Sequence, residues 1–206
     1  QAVTKYVQYT QQSLMLANAA KHKGNPAFIE DAMATIDNSV LRMNKLLQQL
    51  QSGETTGMRQ RVRAAAAVAD AIERCQGREP VPQFGDTASD LLVWIDRERF
   101  TAVLVHLIRN AQEATPRDGS VRVAVAVAGA GVEISIDDDG CGMDPEFIRT
   151  RLFRPFDTTK GSKGMGIGVY QARTLVMDAG GSLRVDSEPG VGTRFTIWLP
   201  LHEPTP

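Results

Sequence analysis

The sequence predicts an α+β protein, a two-layer α/β sandwich preceded by an antiparallel helical hairpin that pairs with a second copy into a dimeric four-helix bundle. Three observations carry that prediction. Apolar residues recur every seven positions near the amino end, a polar, glycine-bearing stretch interrupts the chain at 52–57, and beyond it helical patterns and short strands follow one another and close on a hairpin. The interruption divides the 206 residues into a hairpin, 1–56, and a sandwich, 57–206.

Ile29, Ile36, Met43 and Leu50 form the strongest seam, with Met33, Val40 and Leu47 four places after the first three. A weaker seam runs through Val3, Val7, Thr10, Leu14 and Ala17, and Gly24, Asn25 and Pro26 supply a helix stop, a cap and a first-turn proline between the two. One such hairpin cannot satisfy its own seam, which favours a homodimer; packing of both helices on the rest of the same chain is the alternative.

Within the sandwich a helix is expected around Val62 to Cys75, then short strands near Val81–Phe84 and Leu91–Ile95, and a longer helix from Asp96 to about Thr115. Alternating strands follow at Val121–Val127 and Val132–Asp138, a helix from about Gly166 to Asp178, and a closing hairpin with Leu183 and Val185, then Phe195, Ile197 and Leu199, pointing inward around Gly190-Val191-Gly192. Such an order gives a largely antiparallel sheet covered by helices.

Composition narrows the function. With 23 basic and 24 acidic residues the net charge of -1 attracts neither nucleic acid nor an anionic membrane, so binding has to come from a local site. Cys75 and Cys141 match no metal-ligand spacing and read as reduced thiols of a cytoplasmic protein. The absence of an apolar run of about 18 residues and of a signal-peptide pattern gives the chain no membrane contact of its own. Its start at Gln1 is that of a fragment, so the parent can still be membrane-anchored.

Three patterns carry chemistry. On the helix from Asp96, the apolar stripe Phe100, Val103, Leu104, Leu107, Ala111 and Ala114 is flanked by a second stripe of His106, Asn110 and Glu113, which standing alone would be a wet face. Asp138 shares its strand face with Val132, Ile134 and Ile136, so it points where the core points. A carboxylate there needs a donor: a purine amino group is one, and a helix cap or a backbone turn partner is another. Gly140 and Gly142 then let the chain turn tightly beside a flat ligand. Finally, the run from Thr158 to Gly168 holds Lys160, Lys163 and the glycines Gly164, Gly166 and Gly168 ahead of a helix, which makes either a phosphate cradle or a flexible loop.

Taken in order, these patterns resemble the boxes of the GHKL (Bergerat-fold) superfamily, in which histidine kinases, gyrase, Hsp90 and MutL share an ATP-binding sandwich. His106-Leu107-Ile108-Arg109-Asn110-Ala111 resembles the N box and Asp138-Asp139-Gly140-Cys141-Gly142 the first glycine box. Phe153-Arg154-Pro155-Phe156 resembles the F box, Gly164-Met165-Gly166-Ile167-Gly168 the second glycine box, and Gly190-Val191-Gly192-Thr193 the closing turn of the kinase branch. The likeness spans about residues 58–201 and is nearest to the sensor kinase of the PEP-CTERM (exosortase) system.

The resemblance implies ATP and Mg²⁺ as cofactors. Asn110 would coordinate Mg²⁺, Asp138 would hold the adenine amino group beside Gly140 and Gly142, and Lys160 with the amides around Gly164, Gly166 and Gly168 would hold the phosphates. His106 stands where the family commonly has asparagine; as a catalytic candidate it would assist Mg²⁺ or take a proton, and a structural histidine is the other reading. Glu113 replaces a common lysine and receives no role.

By the same resemblance the hairpin is a dimerisation and histidine-phosphotransfer region, and the partner is a response-regulator receiver domain. The acceptor position falls near Val3, however, and the only histidines are His22, His106 and His202, with His22 beside the hairpin turn. The chain is therefore expected to bind Mg-ATP without phosphorylating itself, while its native parent phosphorylates a histidine and passes the group to an aspartate. A non-catalytic nucleotide-binding dimer and an ATPase clamp of the gyrase or MutL type remain as alternatives. A clamp would carry a transducer domain beyond Pro206 and a glutamate at the place of His106.

Overall fold

The computed structural model describes residues 58–86, 90–155, 157 and 166–202. The hairpin, the positions near Val3, His22, Lys160 and Gly164 lie outside the described residues. The chain divides into two compact units, Gln1–Thr56 and Gly57–Pro206, and the described residues belong to the second.

Its elements run β1 (Gln60–Arg63), α1 (Ala64–Glu73), β2 (Gln83–Asp86), β3 (Leu92–Ile95), α2 (Arg97–Ala114), β4 (Val121–Ala128), β5 (Gly131–Asp138), α3 (Pro145–Thr150), α4 (Gly168–Asp178), β6 (Ser182–Glu188) and β7 (Gly192–Pro200). A five-stranded sheet has the order β2-β4-β5-β7-β6 and is antiparallel except where β2 runs parallel to β4. β1 and β3 form a separate antiparallel pair. The sheet and its helical layer enclose one core that includes Phe100, Leu104, Leu107, Ile134, Ile136, Ile197, Val68 and Val176.

Because paired residues in antiparallel strands share a face, the register lays side chains in cross-strand rows. One row is Val125, Ile134, Ile197 and Leu183, and the next is Val123, Ile136, Phe195 and Val185. The row beyond it, at the end of the sheet, is Val121, Asp138, Thr193 and Ser187. The inward face thus changes from apolar to polar in a single step of the register.

α2 starts where the sequence places it: Asp96 caps the helix by accepting from the Arg99 N–H at 3.0 Å. Its buried surface is wider than the expected stripe, adding Thr101, Ile108 and Gln112, while Ala114 is only half-buried. The reason is packing against α1 and α4 as well as the sheet. Buried Gln112 directs its amide nitrogen to the carbonyls of Cys75, Arg78 and Pro80 at 3.0, 2.7 and 3.0 Å, fastening the turn that follows α1.

Several boundaries differ from expectation, and the strand expected near Val81–Phe84 lies two residues later, at Gln83–Asp86, where it pairs with β4. The helix expected from Val62 begins at Ala64, because Val62 instead pairs with Val93 in a strand and is buried there. No side chain caps α1; its first N–H is taken by the Leu91 carbonyl at 3.0 Å, a partner remote in sequence. The short helix α3 was not expected, although Asp144, which accepts from the Glu146 and Phe147 N–H groups at 2.7 and 3.3 Å, and Pro145 in its first turn are ordinary start signals. Lastly, α4 begins at Gly168 instead of Gly166, since Gly166 has φ +63° and cannot be a helical residue.

Candidate functional site

Asp138 sits half-buried at the polar end row of the sheet. Its Oδ1 accepts from the Gly140 N–H at 3.0 Å, and the backbone N–H of Thr193 also bonds the carboxylate. Even so, burial pushes the Asp138 carboxyl above the usual carboxylate range, against the pull of those two amides and with Asp139 and Asp137 adding repulsion. A backbone turn partner is therefore present but does not fully compensate the charge.

The turn after β5 is fastened to two other segments. The Cys141 N–H donates to the Ala114 carbonyl at the end of α2 at 3.0 Å, and the Gly190 N–H donates to the Cys141 carbonyl at 2.8 Å. Gly140 is buried against α2, where a Cβ would stand 2.5 Å from the Ala114 carbonyl oxygen. Gly142 has φ +65°, and a Cβ on it would overlap the Glu188 carbonyl.

Ser187 joins the same segments through its hydroxyl. It donates to the Gly192 carbonyl at 2.8 Å, accepts from the Met143 N–H at 2.8 Å, and lies 2.9 Å from the Thr193 hydroxyl, which, with the Ser187 hydrogen already committed, donates to it. Sequence reasoning passed over Ser187. Its phase was the signal: Leu183 and Val185 face inward, and Ser187 is the next inward position on β6.

α2 presents the other stripe. His106 is exposed and Asn110, one turn later, is half-buried; Glu113 is exposed and its Oε1 pairs with Arg78 Nη1 at 2.8 Å. The His106 imidazole lies against Gly168, the first residue of α4. Ile167 at the cap of α4 has no side-chain hydrogen bond, and the first turn carries no acidic residue, so the opening amides of this helix remain suited to an anion. Upstream, Arg151 grips the Asp157 carboxylate with Nη2–Oδ1 at 2.6 Å and Nε–Oδ2 at 3.0 Å, which holds that carboxyl below its usual range. A Cβ on Gly166 would strike the Asp157 backbone, and the Arg173 guanidinium stacks 4.7 Å over the Phe153 ring.

Of the sequence candidates, the structure brings Asp138, Gly140 and Gly142 together at one end of the sheet, and His106 and Gly168 together between α2 and α4. α2 serves both groups, carrying His106 and Asn110 along its length and holding the glycine turn by its last carbonyl. The two thiols differ sharply: Cys75 is buried, with its pKa raised mainly by desolvation, and Cys141 is exposed between Gly140 and Gly142. Among the described residues no cluster of three His, Cys, Asp or Glu could hold a metal by itself, and no helix is long and apolar enough to cross a membrane.

Comparison with known proteins identifies the family and the fold. The model of the Histidine kinase-, DNA gyrase B-, and HSP90-like ATPase family matches residues 95–203. The sensor histidine kinase ZraS of Escherichia coli is 37% identical over 118 residues, 56% of this chain and 25% of that protein. The signal transduction histidine-protein kinase AtoS of Escherichia coli is 36% identical over 108 residues, 52% of this chain and 17% of that protein. The chain thus spans a quarter or less of the length of these relatives. Among solved structures, the mycobacterial sensor histidine kinase MprB superposes with a TM-score of 0.61 at 26% identity, covering 69% of this chain and 97% of that one.

Proposed function

Since this chain belongs to the Histidine kinase-, DNA gyrase B-, and HSP90-like ATPase family, we propose that it is the ATP-binding catalytic part of a two-component sensor histidine kinase. The observation that carries the reading is Asp138: an inward-facing, half-buried carboxylate at the end of the sheet, held by two backbone amides and raised in pKa by burial, beside glycines that a Cβ would crowd. The exocyclic amino group of adenine would supply a further donor to Asp138, beside the turn that Gly140 and Gly142 make possible.

Asn110 offers one neutral amide oxygen, which suits Mg²⁺ carried in on the triphosphate, since that ion keeps phosphate and water ligands and needs few from protein. Bound there, Mg²⁺ would neutralise charge on the phosphates. The uncapped start of α4, with the amides around Gly164, Gly166 and Gly168 and the Lys160 ammonium, holds the phosphate oxygens, and His106 stands beside them as a donor or proton acceptor. The terminal phosphoryl group then moves from its bridging oxygen to a histidine nitrogen, releasing ADP, and later to an aspartate of a response-regulator receiver domain. Dimerisation belongs to the hairpin, and the reaction takes place on the cytoplasmic side. This chain offers no histidine at the expected acceptor position and would not phosphorylate itself.

Titration calorimetry tests the reading. Asp138→Asn should weaken Mg-ATP binding by about tenfold or more, the worth of a hydrogen bond to a charged group, whereas unchanged affinity would remove the adenine assignment. Phosphate transfer to a separately supplied hairpin bearing the acceptor histidine distinguishes a kinase from a nucleotide-binding module without catalysis.

A further inference from the structure

Gly168 lacks the usual reasons for being glycine. Its φ is outside the left-handed region, in contrast to Gly142 and Gly166, and it opens an α-helix, where alanine is the better residue. The three atoms nearest to a Cβ built on Gly168 are Nε2, Cδ2 and Cε1 of His106, all at overlapping distance. Gly168 is buried, and the ring of the exposed residue His106 lies against it.

From this we infer that Gly168 is the seat of the His106 ring: the two residues form a matched steric pair that sets the distance between α2 and the start of α4, which makes His106 a positioning residue for the nucleotide site. The inference rests on the nucleotide-binding reading for its functional half. α2 carries Asn110 one turn beyond His106, and α4 presents its opening amides immediately at Gly168. A methyl group at 168 would either displace the ring from its seat, removing what sets the spacing, or push the two helices apart and separate Asn110 from the opening of α4. The competing explanation is that phosphate needs the space, and it makes the opposite prediction once the ring is gone.

A double-mutant cycle on the full chain decides between them, with thermal unfolding and Mg-ATP affinity measured for each variant. Gly168→Ala alone should lower the unfolding temperature and weaken Mg-ATP binding by roughly tenfold or more, within the range of coupling between touching residues. In the His106→Ala background the same change should cost less than about twofold in affinity, and the unfolding temperature should rise, because helix propensity then acts unopposed. If Gly168→Ala alone fails to fold, recovery of folded protein in the double variant supports the pair, and failure of both overturns it. An equal cost of Gly168→Ala in the two backgrounds also overturns it. Should the unsubstituted chain not bind Mg-ATP, the functional reading fails, while the unfolding half of the cycle still tests the pair.

Discussion

The two glycine clusters of the site are crowded by different kinds of matter. At the end of β5, Gly140 and Gly142 make room for the carbonyls of Ala114 and Glu188, and across the turn a Cβ on Gly192 would overlap the Asp138 carbonyl. Those obstacles are backbone, fixed by the sheet and by the end of α2. At the start of α4, Gly168 makes room for a side chain. The first cluster therefore admits no compensating substitution, and the second does. What looks alike in sequence as two glycine boxes is, in one case, a rigid frame and, in the other, a fit between two side-chain positions.

The contrast is broken most directly at Gly142. Gly142→Ala combines a left-handed φ with overlap on the Glu188 carbonyl, and should cost about 3 kcal/mol or more, read as a lower urea midpoint; no second substitution should restore it. A loss below 1 kcal/mol would show that the frame yields. Next in size is Ser187→Ala, which strips the Met143 N–H and the Gly192 carbonyl of a partner and should cost about 1–2 kcal/mol while weakening nucleotide binding.

The smallest effect is a pH dependence. Because burial raises the folded-state pKa of Asp138 above its unfolded value, its stabilising contribution is complete below the unfolded carboxylate pKa, about 3.9, and is lost as pH rises through the folded value. Urea unfolding of Asp138→Asn and the parent chain across acid and neutral pH should show the variant gaining relative stability toward neutrality. A constant difference would mean that Asp138 is not desolvated.

The frame was more legible in the sequence than the fit. Period-two alternation in β5 places Asp138 on the core side without any knowledge of its neighbours, and Asp96 announces the start of α2 through local chemistry. Features that depend on remote partners were not legible. The start of α1 is set by a carbonyl from Leu91, and the burial of Gln112 by a turn more than thirty residues away. The pairing of His106 with Gly168 joins two helices far apart in sequence, so nothing local marks either residue as the other's complement. α3 is a different case, for its start signals stand in the sequence but govern only six residues.

Cys75 and Cys141 give the molecule a built-in chemical asymmetry. In a cysteine the thiolate is the nucleophile, and burial both raises the Cys75 pKa and limits access to its sulfur. Cys141 is exposed in the turn after β5, fixed by its own amide and carbonyl to the end of α2 and to the closing turn. A mild thiol-directed reagent should therefore label Cys141 well ahead of Cys75.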